Sequence, residues 1–147
     1  MTSAKDVLLV AVDGSDCSQR ALAQAMDMAK ALNASLLLAH VVDWSDYSFI
    51  NAIEIEERTK MRKAEEKRAR EDILGPMSAQ VEAAGIDAAQ DLRFGHPPRT
   101  LAKMAEEAGA KMIIAGTRGR SDVKSLVLGS FGHGLLQLAK RPVLLVP

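Results

Sequence analysis

The chain has 147 residues, the size of one compact domain with room for a substantial core. Hydrophobic residues make up 48% and charged residues 26%, which excludes disorder. Nineteen basic residues balance nineteen acidic ones, which excludes a general electrostatic pull toward nucleic acid or anionic lipid and leaves room only for a local basic patch.

One cysteine, Cys17, rules out an internal disulfide, and with three histidines it gives no structural zinc pattern. Met1 to Asp6 is polar and leads straight into a strand, so no signal peptide is expected. No apolar run approaches the roughly 20 residues that span a bilayer. The composition therefore reads as a soluble cytoplasmic protein with neither membrane nor nucleic-acid partner.

Val7 to Val12 is an unbroken apolar run, as expected of a strand covered on both faces of a parallel sheet, and Asp13-Gly14-Ser15 ends it. A helix follows, with Ser15 or Asp16 as N-cap and Asn33 as stop signal. Its apolar positions Leu22, Ala25, Met26, Ala29 and Leu32 fall on one face. Ser35 to Val42 is a second strand, ending in Asp43-Trp44-Ser45. The Glu-, Lys- and Arg-rich stretch from Glu54 to Asp72 reads as a long, mostly solvated helix, continued by Met77, Val81 and Ala84. Unbroken from Glu57 to Ala84, it would be roughly 42 Å long at ~1.5 Å per residue. That overhangs a domain whose radius of gyration is near ~15 Å, so Gly75-Pro76 is expected to kink or break it.

Ala88 to Phe94 predicts a third strand, diluted by Gln90, Asp91 and Arg93 and therefore expected at a sheet edge. Gly95-His96-Pro97-Pro98 opens a helix with proline at its first position, with Leu101, Met104, Ala105 and Ala108 inward and Gly109 as its end. Lys111 to Ala115 is strand four, and 116–129 a long loop. Phe131, Leu135, Leu138 and Ala139 give the inner face of a last helix before strand five, Pro142 to Val146. Alternating strands and helices without repeat or linker make residues 1–147 one α/β domain. Right-handed crossovers favour a five-stranded, parallel, doubly wound sheet with helices on both faces. A ligand then belongs beyond the carboxyl ends of the strands, where the winding reverses.

Two strand ends carry unusual chemistry there: Asp13-Gly14-Ser15, and Gly116-Thr117-Arg118-Gly119-Arg120-Ser121 with Leu128-Gly129-Ser130 behind it. Glycines at 116 and 119 let backbone N–H groups approach an anion, and Gly129-Ser130 opens a helix whose N-terminus favours phosphate. Neither a Gly-x4-Gly-Lys-Ser/Thr loop nor three spaced glycines after strand one is present. On spacing alone, an anion cradle and a purely structural tight loop with a helix cap are both open.

The pattern Gly-x2-Gly-x9-Gly-Ser, met by Gly116, Gly119, Gly129 and Ser130, resembles the nucleotide loop of the universal stress protein family. Val10 to Ser15, His40 to Asp43 and Arg141 to Pro147 match that family in order and place, so the resemblance spans the chain. It implies an adenine nucleotide alpha hydrolase-like fold with strand order 3-2-1-4-5. It also implies ATP, ADP or AMP as ligand, with or without Mg2+, and a regulatory role in stress. Gly116, Gly119, Gly129 and Ser130 would hold phosphates and ribose, with the backbone of Arg118, Arg120 and Phe131 nearby. Asp13 would accept from the adenine amino group, and Ala11 and Val41 would contact the base. A homodimer through strand 142–146 is implied as well. Phe131 and Gly132 depart from the smaller aliphatic and hydroxyl residues usual after the Gly-Ser pair.

Read without the resemblance, Asp13 is a turn residue opening the first helix. His40 reads as a satisfied core or rim histidine, His96 as a helix cap and His133 as partly exposed. Trp44, Tyr47 and Phe49 would cover the crevice or a partner surface, or anchor their loop. No paired carboxylates, metal cluster or Ser-His-Asp set is visible, and only Asp13, Asp122 and Lys124 could serve hydrolysis. Catalytic residues are thus not expected. The alternatives to a nucleotide-linked regulator are a slow ATP hydrolase and a nucleotide-free dimeric adaptor.

Overall fold

The computed structural model describes residues 4–44, 52–118 and 128–147. The chain runs β1 (Val7–Ala11), α1 (Asp16–Leu32), β2 (Ser35–Asp43), α2 (Ala52–Ala69), a π-helical turn (Arg70–Leu74) and α3 (Gly75–Ala83). It continues with β3 (Ala88–Gly95), α4 (Pro97–Ala108), β4 (Met112–Gly116), α5 (Ser130–Leu138) and β5 (Val143–Val146). All five strands are parallel in the order β3-β2-β1-β4-β5, so the sheet is doubly wound as the sequence predicts. No helix among the described residues is long and apolar enough to cross a membrane.

The unbroken apolar runs are explained by period-2 alternation between two cores. Leu8, Val10 and Val12 face one side with Leu36, Leu38 and Ile114, under Leu22 and Ala25 of α1 and Leu74, Met77 and Val81 of the π turn and α3. Leu9, Ala11, Ala39, Ile113 and Ala115 face the other, under Leu101, Met104 and Ala105 of α4 and Leu135 of α5. A residue pointing either way from β1 or β4 meets a helix, so no polar face survives. β3 lies at an edge, which accounts for Gln90, Asp91 and Arg93: its residues are only half-buried or exposed.

Local signals act as expected at α1 and α4. Ser15 caps α1 by accepting the Ser18 N–H at 3.1 Å, and Asn33 closes it in the left-handed region at φ 52°. Pro97 starts α4 behind His96, which occupies the cap position without a side-chain capping bond. Three inward assignments fail, the first at Ala108, which ends α4 and is exposed. Leu32 is 60% exposed and Leu138 39%, because each lies at the last residue of its helix, where the chain leaves the sheet.

Gly75-Pro76 does not break the long helix. The chain stays helical from Ala52 to Ala83, and the irregularity sits one turn earlier. Pro76 has no N–H, so the ladder cannot continue in its ordinary form. It widens instead, and the Gly75 N–H donates to the Arg70 carbonyl five residues back. A Cβ at position 75 would lie 2.8 Å from that carbonyl oxygen, so glycine is there for clearance.

Candidate functional site

At the carboxyl ends of β2, β1 and β4 the described residues enclose a cleft of about 520 Å³. The chain reaches it because β1 leads outward to β2 and β3 on one side, then returns to β4 and β5 on the other. Ala11 and Asp13 come from the end of β1, Val41 from β2, Gly116 and Arg118 from β4 and its exit, and Ser130 and Phe131 from the first turn of α5. Seven residues singled out in the sequence thus line one hollow. Gly119 and Arg120 lie outside the described residues, as do Tyr47, Phe49, Asp122 and Lys124.

Asp13 is built into the start of α1. Its carboxylate accepts the Ser15 N–H at 2.9 Å, and its own N–H donates to Ser18 Oγ at 3.1 Å. This is the turn role, and it also fixes the carboxylate at the cleft wall. His40 is tied as a rim histidine, with Nδ1 2.6 Å from the Val12 carbonyl oxygen. Phe131 is half-buried against the α4–α5 core and forms a wall, leaving the hollow open.

Gly129 acts differently from Ser130. Its extended backbone makes it the N-cap of α5, and its N–H donates to the Thr117 carbonyl at 3.0 Å. The Thr117 N–H donates in turn to the Val146 carbonyl at 2.9 Å. Gly129 therefore closes the base of the loop, while Ser130 is exposed and reaches the cleft. The first-turn N–H groups of α5 carry the positive end of its dipole.

Gly116 has a structural reason of its own. A Cβ there would lie 2.8 Å from Cys17 Sγ and 3.1 Å from the Cys17 carbonyl carbon, so glycine lets α1 pack on β4. Cys17 is buried, its thiol donating to the Val146 carbonyl at 3.2 Å with Thr117 Oγ1 at 3.8 Å. Burial pushes its pKa up, but the backbone of Arg118, the hydroxyl and backbone of Thr117, and the charge of Arg20 outweigh it and leave the thiol below its ordinary value.

The cleft also contains residues the sequence reading missed. Pro98 and Leu101 of α4 supply an apolar wall, and Glu65 and Arg68 of α2 stand on the rim as an ion pair. Higher on α2, the Arg58 guanidinium lies 5.1 Å from the Trp44 ring and that of Arg62 4.3 Å from the Phe94 ring. The two rings meet edge to face at 5.6 Å. Residues 58, 62, 65 and 69 fall at helical spacing, so this stripe is the inner face of α2. Nothing in an apolar-periodicity reading marks it, because most of its members are charged.

The sequence profile described as the Universal stress protein family matches residues 6–147. The chain belongs to the universal stress protein family. Universal stress protein YxiE of Bacillus subtilis is 33% identical over 144 residues, covering 95% of this chain and 97% of that one. The structure of a universal stress protein from Lactobacillus plantarum is similar at a TM-score of 0.85, with 21% identity, 99% of this chain and 100% of that one covered. A universal stress protein solved in complex with cAMP is 27% identical at a TM-score of 0.69, with 98% of each chain covered. The five-stranded order and the flanking helices are those of this family's fold.

Proposed function

We propose that the cleft binds an adenine nucleotide of the ATP, ADP or AMP type, and that its occupancy regulates the protein's conformation and assembly in the cytoplasm. The observation that carries this is convergence. An acceptor carboxylate and small apolar residues from β1 and β2 share one hollow with Gly116, Arg118 and the exposed Ser130 at a helix N-terminus. Its volume of about 520 Å³ lies within the ~300–1,000 Å³ usual for small-molecule sites. The wall fits the ligand's two halves. Asp13 accepts but cannot donate when ionised, which suits an exocyclic amine, and Ala11 and Val41 offer apolar surface to a base. Ser130 and the α5 amides offer donors to phosphate, with Arg118 in the same lining and Arg120 assigned to the ligand by the family pattern alone. Gly119 is assigned to the same ligand by the family pattern, and Gly129 closes the base of the loop through its bond to Thr117. The family relative bound to cAMP supports an adenine ligand.

Calorimetric titration with ATP tests this. Ser130→Glu sets a carboxylate against phosphate at an exposed position, so binding should weaken at least tenfold while the melting temperature without nucleotide stays unchanged. Val41→Trp should block the base side. Unaltered affinity in both variants would sink the reading.

For assembly, we infer pairing of β5 with β5 of a second copy. β5 is the free edge opposite β3, and all four of its residues are only half-buried. The Val146 carbonyl receives both the Thr117 N–H and the Cys17 thiol, so movement at this edge is felt at the base of the nucleotide loop. Val143→Asp with Leu145→Asp should give monomers in sedimentation, with weaker ATP binding if edge and loop are coupled. A dimer unchanged by both substitutions would refute the pairing.

A further inference from the structure

A second recess of about 240 Å³ lies outside the nucleotide cleft, between α4 and the turn joining α5 to β5. Arg99 and Lys103 of α4 line it four residues apart, facing Lys140 and Arg141 of the turn. Glu106 is the one carboxylate in the lining. Four cations against one anion is a concentrated charge on a chain whose formal net charge is zero. It is the local basic patch that overall composition leaves open.

Arg141 is held rigidly. Its Nη1 donates to the Ala110 carbonyl at 2.6 Å and its Nη2 to the Glu106 carbonyl at 3.4 Å. Two of its five N–H donors are used, so three remain on a fixed guanidinium plane. Lys103 stands 4.0 Å from Glu107, a distant and exposed pair. Arg99 and Lys140 are exposed and have no ion-pair partner among the described residues. The recess is not wholly polar, since buried Ile113 and half-exposed Leu138 also line it.

We propose that this recess is an anion site for a phosphate-class dianion, with apolar surface beside it for a short stem where the anion carries one. The net excess of cations suits two negative charges, and a guanidinium held in place offers paired donors to a phosphate. The volume falls below the ~300 Å³ at which whole-ligand pockets begin, so it takes a head group and no complete nucleotide. Leu138 and Ile113 offer a surface for the attached stem. The same chemistry arises from free phosphate or from a phosphorylated side chain of a protein partner.

Amide-resolved NMR titration of the full chain, at constant ionic strength, tests the site with inorganic phosphate and with a phosphoserine peptide beside its serine counterpart. Saturable shifts are expected at residues 99–103 and 138–141, weakening as salt rises. Arg99→Glu with Lys140→Glu should weaken binding at least tenfold, whereas Arg99→Lys with Lys140→Arg should retain most of it. Both positions are exposed, so a thermal melt should show the variants folded. Tighter binding of the phosphopeptide than of phosphate would assign the site to a protein partner, and equal binding to the free anion. Shifts confined to the surroundings of Gly116 and Ser130, or an unchanged affinity in the charge-reversed variant, would overturn the proposal.

Discussion

Residues 52–69 and 70–83 form one continuous helical stretch but are held in different ways. The second part presses Ile73, Leu74, Met77 and Val81 into the core beneath α1, and Leu74 and Val81 are fully buried. The first part leaves Ile55 and Met61 half-exposed or more and meets the sheet end through arginines laid over Trp44 and Phe94. One half is anchored by the hydrophobic effect. The other depends on cation–π contacts worth about 0.5–1 kcal/mol each when exposed. The difference teaches that one helical stretch can start as the charged rim of a cleft and finish inside the core, with Glu65 and Arg68 in the cleft lining before the change.

The largest expected effect comes from the anchored half. Leu74→Ala should lower unfolding free energy by about 2–5 kcal/mol in urea denaturation, since it opens a cavity where the side chain is fully buried. Gly75→Ala comes next, at about 1–3 kcal/mol, because the added methyl meets the Arg70 carbonyl, which is backbone and yields little. A neutral result there would mean the π turn relaxes at no cost. On the other half, Arg58→Ala with Arg62→Ala should cost only about 1–2 kcal/mol together. That loss should shrink as salt rises, which the losses at Leu74 and Gly75 should not.

The smallest effect concerns a polar contact on the neighbouring edge. Arg93 bonds Glu107 at 2.7 Å and Asp91 at 3.0 Å, and the Arg93 hydrogen bond holds the Glu107 carboxyl below its ordinary pKa. A depressed carboxylate contributes stability above its unfolded pKa and loses it as pH falls through the folded value. In Arg93→Ala the Glu107 carbon resonance should titrate upward, near the ordinary ~4.3. No movement would show the pair to be broken in solution.

The sheet was legible because β1, β2 and β4 are apolar on both faces, and only a two-sided parallel sheet needs that. β3 was legible only as an edge, its Gln90, Asp91 and Arg93 being tolerable nowhere else. Seven of the 21 cleft-lining residues could be named in advance, those at the two strand ends from turn chemistry and Ala11 and Val41 only from the family resemblance. The α2 contribution was not legible. Arg58, Arg62, Glu65 and Arg68 look like solvent-facing charges, and their partners Trp44 and Phe94 are distant in sequence. Gly75 misled for a related reason: it signals a break when only the dihedral is considered, whereas the crowding it relieves is set by Pro76 and Arg70. Gly129 looked like an anion donor, but its N–H is committed to Thr117.

That last bond has an evolutionary corollary. The stretch between residues 117 and 129 begins and ends at a backbone pair 3.0 Å apart, and Thr117 is fastened to β5 as well. With both ends pinned, lengthening the intervening segment adds only about 0.6 kcal/mol of closure entropy per doubling. Substitutions between the two pins that spare Gly119 and Arg120 should leave the sheet's thermal unfolding nearly untouched, so that what this stretch does and what the scaffold withstands can be varied separately.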